Sequence, residues 1–117
     1  MKKNTVNAVK ADRRTAMREA NALVRGGQMT RSQAMKQGYK VALLNAIFVA
    51  GLAAHLSFVK ADGEKRVATA LPAKVGEYLV KGTGHTTPKS NILFIDADLA
   101  AFRSCVKARI ISVKPVV

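Results

Sequence analysis

Two periods of apolar and polar residues run along this chain, and the change falls near residue 51. Between Ala11 and Arg25, Met17, Ala20 and Val24 recur at spacings of three and four, in a segment rich in helix formers. That spacing marks one face of an α-helix and predicts a helix over 11–25. Gly26-Gly27 supplies its stop. Thr30-Arg31-Ser32-Gln33 reads as a capping box: the Thr hydroxyl accepts from the backbone three residues on, and Gln33 reaches back. A second helix is predicted over 31–50, with Met35, Tyr39, Ala42, Leu43, Ala46, Ile47 and Ala50 as its apolar stripe. Gly38 inside it costs about 1 kcal/mol relative to Ala, so it is expected to mark a close helix approach. Together the two helices read as a hairpin joined by a short Gly-rich turn.

After Gly51 the period drops to two. Residues 55–59 read as a strand and Lys60-Ala61-Asp62-Gly63 as a turn, its Asp-Gly step suited to positive φ. Residues 64–71 return as the second strand. Pro72 and Gly76 bracket a loop or single helical turn, and 82–88 form a polar loop. Residues 91–96, 101–106 and 109–113 give three more strands, with Asp96-Ala97-Asp98 punctuating the first two. Five short strands with hairpin signals predict a small barrel rather than a parallel sheet. The fold class is therefore α+β, with a helical segment over 1–50 followed by a five-stranded antiparallel barrel over 51–117.

Charge changes this picture. The 117 residues hold 20 Lys+Arg against 7 Asp+Glu, a formal +13, and 49% are hydrophobic. The hydrophobic share excludes a disordered basic tail. Aromatics are 5% and Trp is absent, so the core must rest on Val, Ile, Leu and Ala. The first 50 residues carry a net +8 and the remaining 67 a net +5. Such an excess favours a polyanionic partner or an acidic surface. A single cysteine, Cys105, excludes an internal disulfide framework and a cysteine-rich zinc site, and fits a reducing compartment. The apolar stretch Val41–Ala54, interrupted by Asn45, is 14 residues long. A bilayer span needs about 20. No apolar segment follows Met1-Lys2-Lys3-Asn4. Neither a secretory signal nor a membrane helix is expected, and the default compartment is the cytoplasm. The stretch suggests instead a homo-oligomer interface or deep burial.

Three segments carry a family resemblance. They are the hairpin Ser57–Arg66, the tail Ile92–Asp96 with Phe102-Arg103-Ser104 and Arg109–Val113, and the helical segment Met29–Leu44. In this order they resemble the WYL-related, Sm-like SH3 β-barrel proteins of bacteriophages and mobile elements, over about residues 29–113. Tyr39 and Ala101 or Phe102 stand where that family has tryptophans, and Ala108 replaces an acidic residue before Arg109. The resemblance implies an SH3/Sm-type barrel and a ligand- or nucleic-acid-binding role, in a bacterial host cytoplasm or a virion. It implies no reaction.

Candidate contacts for a polyanion are basic. Arg13, Arg14, Arg18, Arg25, Arg31, Lys36 and Lys40 crowd the helices against Asp12 and Glu19, and Lys65, Arg66, Arg103, Lys107 and Arg109 add to them on the barrel. Such groups neutralise phosphates and release counterions, giving affinity without sequence preference. The bland alternative is a solvated basic face, but +13 exceeds ordinary solubility needs. Base stacking needs exposed aromatics. Phe58 and Phe94 fall in apolar strands and read as core, Tyr39 reads as a helix–barrel contact, Phe102 beside Arg103 reads as either core or a stacking surface, and Tyr78 remains a candidate. Backbone contact is thus favoured over base reading. The helical pair has the gross layout of a helix-turn-helix. However, 41–50 is too apolar to lie in a groove, so only Arg31, Lys36 and Lys40 could touch DNA there.

Other chemistry is sparse. His55 and His85 have no accompanying ligand pattern, so no metal is expected. Asp96 and Asp98 read as an Asx turn. Gly82–Thr87 lacks the Lys-Ser/Thr ending of a phosphate loop. Ser104 and Cys105 have no identifiable base. No cofactor and no catalysis are expected. Two functions remain open: a small phage-type protein binding nucleic acid through its phosphates, or an interaction module docking on an acidic host or virion protein or forming part of a phage particle.

Overall fold

The computed structural model describes residues 9–27, 29–72 and 90–116. Helix α1 spans Arg13–Arg25 and α2 spans Arg31–Val49. Strands follow as β1 (Ala54–Val59), β2 (Lys65–Leu71), β3 (Asn91–Asp96), β4 (Ala101–Val106) and β5 (Ile110–Pro115). A 3₁₀ turn, Lys107–Arg109, joins β4 to β5. Over the described residues the fold is α+β, two helices followed by a five-stranded antiparallel sheet. Most of the segment expected as loops between β2 and β3, with Tyr78 and His85, lies outside the described residues.

The helix ends follow from local chemistry. Asp12 caps α1, its carboxylate accepting from the Thr15 backbone N–H at 2.9 Å and the Thr15 hydroxyl at 2.7 Å. The capping box of α2 is present in both directions, from Gln33 N–H to Thr30 Oγ1 at 3.2 Å and from Thr30 N–H to Gln33 Oε1 at 3.1 Å. Gly27, at φ +78°, takes the left-handed backbone that the turn between the helices requires.

Burial on α2 departs from the expected stripe. Its buried residues are Ala34, Gln37, Gly38, Val41, Ala42, Leu44 and Ile47. The reason is that α2 is packed on two sides. At Gly38 the backbone of α1 comes so close that a Cβ would sit 2.5 Å from the Ala16 carbonyl oxygen. Val41, Leu44 and Ile47 instead join the sheet core with Leu56, Phe58, Phe94, Ile110 and Val113. Tyr39, expected between helix and barrel, is 39% exposed because that side faces neither neighbour. Of the two readings of the apolar 41–54 stretch, deep burial accounts for Val41, Ala42, Leu44, Ile47 and Ala54.

Strand order is β4-β3-β2-β1-β5. The β1–β2 ladder runs from Ala54↔Ala70 to Val59↔Lys65. Its turn is closed by Lys60 N–H donating to the Glu64 carbonyl at 2.8 Å, with Gly63 at φ +92°. β5 folds back along β1 with a register shift between Ser57 and Phe58. Among the described residues β2 meets β3 at its far end, through Ala70↔Asp96 and Leu71↔Ile95. The two outer strands, β4 and β5, are linked by the 3₁₀ turn, and among the described residues no ladder between them closes a cylinder.

Candidate nucleic-acid interface

The helical hairpin presents most of its basic residues to solvent. Arg13, Arg14, Arg18, Arg25, Arg31 and Lys36 are exposed and Lys40 is half-buried. Arg14, Arg18 and Arg25 follow one side of α1, four and seven residues apart. Arg31 donates to Asn21 Oδ1 at 3.3 Å, which ties the start of α2 to α1. Arg18 donates to Thr15 Oγ1 at 3.4 Å. Both bonds leave guanidinium N–H groups over for other acceptors.

The acids on the hairpin are engaged. Side-chain and backbone hydrogen bonds from Thr15 hold the Asp12 carboxyl below its ordinary range. Glu19 receives both its bonds from Lys107 Nζ, at 3.0 and 3.1 Å. That pair has a further consequence. Lys107, a candidate phosphate contact by sequence, is largely buried and neutralised within the chain, because the 3₁₀ turn sets it against α1. The turn itself is anchored by Gln37, whose Nε2 donates to the carbonyls of Lys107 at 2.8 Å and Ile110 at 2.7 Å.

Arg66 and Arg103 are also drawn inward. Alternation puts Arg66 on the face of Ala68 and Ala70, and Arg103 on the face of Cys105. Between them lies Asp96, fully buried. Its Oδ2 accepts from an Arg66 terminal nitrogen at 2.7 Å, and Arg103 Nε stands 3.9 Å from the same oxygen. Burial by itself pushes the Asp96 carboxyl up. The Arg66 hydrogen bond, the Asp98 backbone N–H and the Arg66 charge outweigh that, and the net shift is downward. The Arg66 Nε is buried without a hydrogen-bond partner among the described residues. Arg66 therefore serves the interior of the sheet first.

Arg109 remains exposed, one terminal nitrogen donating to the Lys60 carbonyl at 3.3 Å. Lys65 is exposed at the start of β2. The candidate residues thus form no single surface. Those on the hairpin are available to a partner, Arg109 and part of Arg103 are available beside the β1–β2 turn, and Arg66 and Lys107 are held in internal ion pairs.

Stacking surfaces are few among the described residues. Phe58 and Phe94 are buried and meet edge to face, ring centres 6.0 Å apart. Tyr39 and Phe102 are partly exposed. The inner side of α2 is buried against the sheet, while Arg31 and Lys36 in its first turns are exposed, so a groove contact by α2 would be confined to those turns. Burial pushes the Cys105 thiol up to about 12, so it stays protonated near neutral pH. Among the described residues no cluster of three or more His, Cys, Asp or Glu could hold a metal ion, and no helix is long and apolar enough to cross a membrane.

No protein-family model, curated protein or solved structure matches this chain.

Two contacts here were not legible as such. The Glu19–Lys107 pair joins residues 88 apart, and no local pattern announces it. Asp96 does form the expected Asx-type bond, accepting from Asp98 N–H at 3.0 Å, but its other oxygen anchors Arg66. Strand alternation carried that signal, for it aims both 66 and 96 at the core.

Proposed function

We propose that this chain is a small non-catalytic protein that binds nucleic acid through the phosphate backbone, with the α1–α2 hairpin as its principal surface. One observation carries the reading: six exposed Arg and Lys side chains on the hairpin whose neighbouring acids, Asp12 and Glu19, are both engaged in intramolecular bonds. Guanidinium groups fork onto phosphate oxygens, and phosphate neutralisation releases counterions. The scarcity of exposed aromatics supports backbone contact over base reading.

The strand order, with β5 folded back on β1, is compatible with an SH3/Sm-type arrangement, while kinship to phage and mobile-element proteins rests on the sequence motifs alone. A bacterial host cytoplasm is the compartment that fits this reading. Binding to a labelled duplex and a labelled single strand, measured from about 50 to 300 mM salt, tests it. Log K should fall linearly and steeply with log salt. A flat dependence, or no binding at about 50 mM, would sink the proposal and turn attention to an acidic protein partner.

A further inference from the structure

The sheet carries a basic feature separate from the hairpin. A cleft of about 300 Å³ opens between β4 and the end of β1 with its turn. That volume is at the low end for small-molecule sites. Buried Phe58 and Cys105 contribute an apolar floor. Lys60, Arg103 and Arg109 stand in its walls, and the described lining residues include no carboxylate.

The three cations are not equivalent. Lys60 Nζ lies 3.7 Å from Asp62 and 3.5 Å from Glu64, so its charge is shared within the turn. Arg103 is half-buried, its Nε 3.9 Å from an Asp96 oxygen that Arg66 already holds at 2.7 Å, so Asp96 offsets its charge only in part. Arg109 is steadied on the rim by its bond to the Lys60 carbonyl and remains exposed. Two guanidinium groups therefore share one cleft with an apolar floor.

We propose that this cleft binds a phosphomonoester, the phosphate between Arg103 and Arg109 and its organic body over the Phe58 floor. A phosphomonoester carries close to two negative charges at pH 7, matching two guanidinium groups, and its oxygens accept forked bonds from both. A carboxylate would balance one arginine. Inorganic phosphate would leave most of the cavity unfilled. The phosphate could belong to a free nucleotide or to the phosphorylated end of a nucleic-acid strand.

The test is a titration of the full isotope-labelled chain with adenosine 5′-monophosphate, followed by amide shifts. Saturable shifts around the cleft are expected, with adenosine and inorganic phosphate each binding at least tenfold more weakly. Arg109→Gln, at an exposed position, and Arg103→Gln should each weaken binding about tenfold. Lys114→Gln, an equal loss of charge on β5 away from the cleft, should change it less than twofold. No saturation by about 10 mM, or an equal loss in Lys114→Gln, overturns the proposal. Oligonucleotides of one sequence with a 5′-phosphate or a 5′-hydroxyl then separate the sources. Preference for the phosphate identifies a strand end, and indifference with monophosphate binding intact identifies a free nucleotide. Failure here is distinct from failure of the hairpin reading, which is measured by salt dependence rather than by the monophosphate.

Discussion

A methyl group at position 38 would meet backbone, not a side chain that can swing away. Its carbon would lie 2.5 Å from the Ala16 carbonyl oxygen and 3.0 Å from the Ala20 nitrogen. Gly38→Ala gains about 1 kcal/mol in helix propensity but forces the two helices apart. The net effect should be a loss of about 2 kcal/mol in urea unfolding, and a stabilised variant would refute the close crossing. Asp96 gives a second residue-scale expectation. Its folded carboxyl lies below the ordinary value of 3.8, so it adds stability above that pH and loses it as the pH falls below. Asp96→Asn should cost about 2 kcal/mol at pH 7, less than for a fully buried pair because Arg66 is partly exposed. Unfolding at pH 7, 5 and 3 should show the gap between native and variant narrowing only at pH 3. A constant gap would mean that the carboxylate charge is not what stabilises. Gly38 was legible as a close approach because a glycine mid-helix needs a packing reason. The partner backbone, Ala16 to Ala20, was not, because propensity says nothing about what lies opposite.

At the scale of elements, α2 is the piece that joins the hairpin to the sheet. One side takes the backbone of α1 and the other contributes Val41, Leu44 and Ile47 to the sheet core. A stripe read at one helical period cannot describe a helix buried on two sides, which is why Tyr39 was expected inside and Gln37 was not. Gln37 is the polar exception in that contact, and its amide satisfies two carbonyls at the 3₁₀ turn. Gln37→Leu leaves both acceptors without their donor and should cost about 2 kcal/mol. Gln37→Glu should cost at least as much, since a carboxylate would face two carbonyl oxygens. Amide exchange should quicken first at Lys107–Ile110 in both variants. If it quickens uniformly instead, the side chain does not anchor the turn. The strands were easier to read than this docking. Period-two alternation and the Asp62-Gly63 step are local signals, whereas the side of the sheet that receives a helix is set by long-range packing.

Across the whole molecule, charge at neutral pH divides by availability rather than by count. Of the basic candidates, Arg66 and Lys107 are neutralised by Asp96 and Glu19, at 2.7 and 3.0 Å. Among the described residues, the exposed arginines of α1 form no such close ion pair, although the charges of Arg14 and Arg18 are felt by Asp12. A sequence total of +13 cannot separate these populations, since the ion pairs join residues 30 and 88 apart. The difference is measurable in nucleic-acid binding. Each phosphate contact contributes about 0.9 to the slope of log K against log salt for duplex DNA. Replacing Arg14, Arg18 and Arg25 together by Gln should therefore reduce that slope by as much as about 2.7 while leaving the fold intact, because all three are exposed. Lys107→Gln removes one formal charge but no available one. It should leave the slope unchanged and lower stability by up to about 1 kcal/mol through loss of the Glu19 pair. Anisotropy of a labelled duplex, with parallel urea unfolding, reads both quantities. If Lys107→Gln flattens the slope as much per charge as the α1 variant does, net charge alone governs binding and the hairpin has no privileged role. If only the α1 variant flattens it, the phosphates lie along α1.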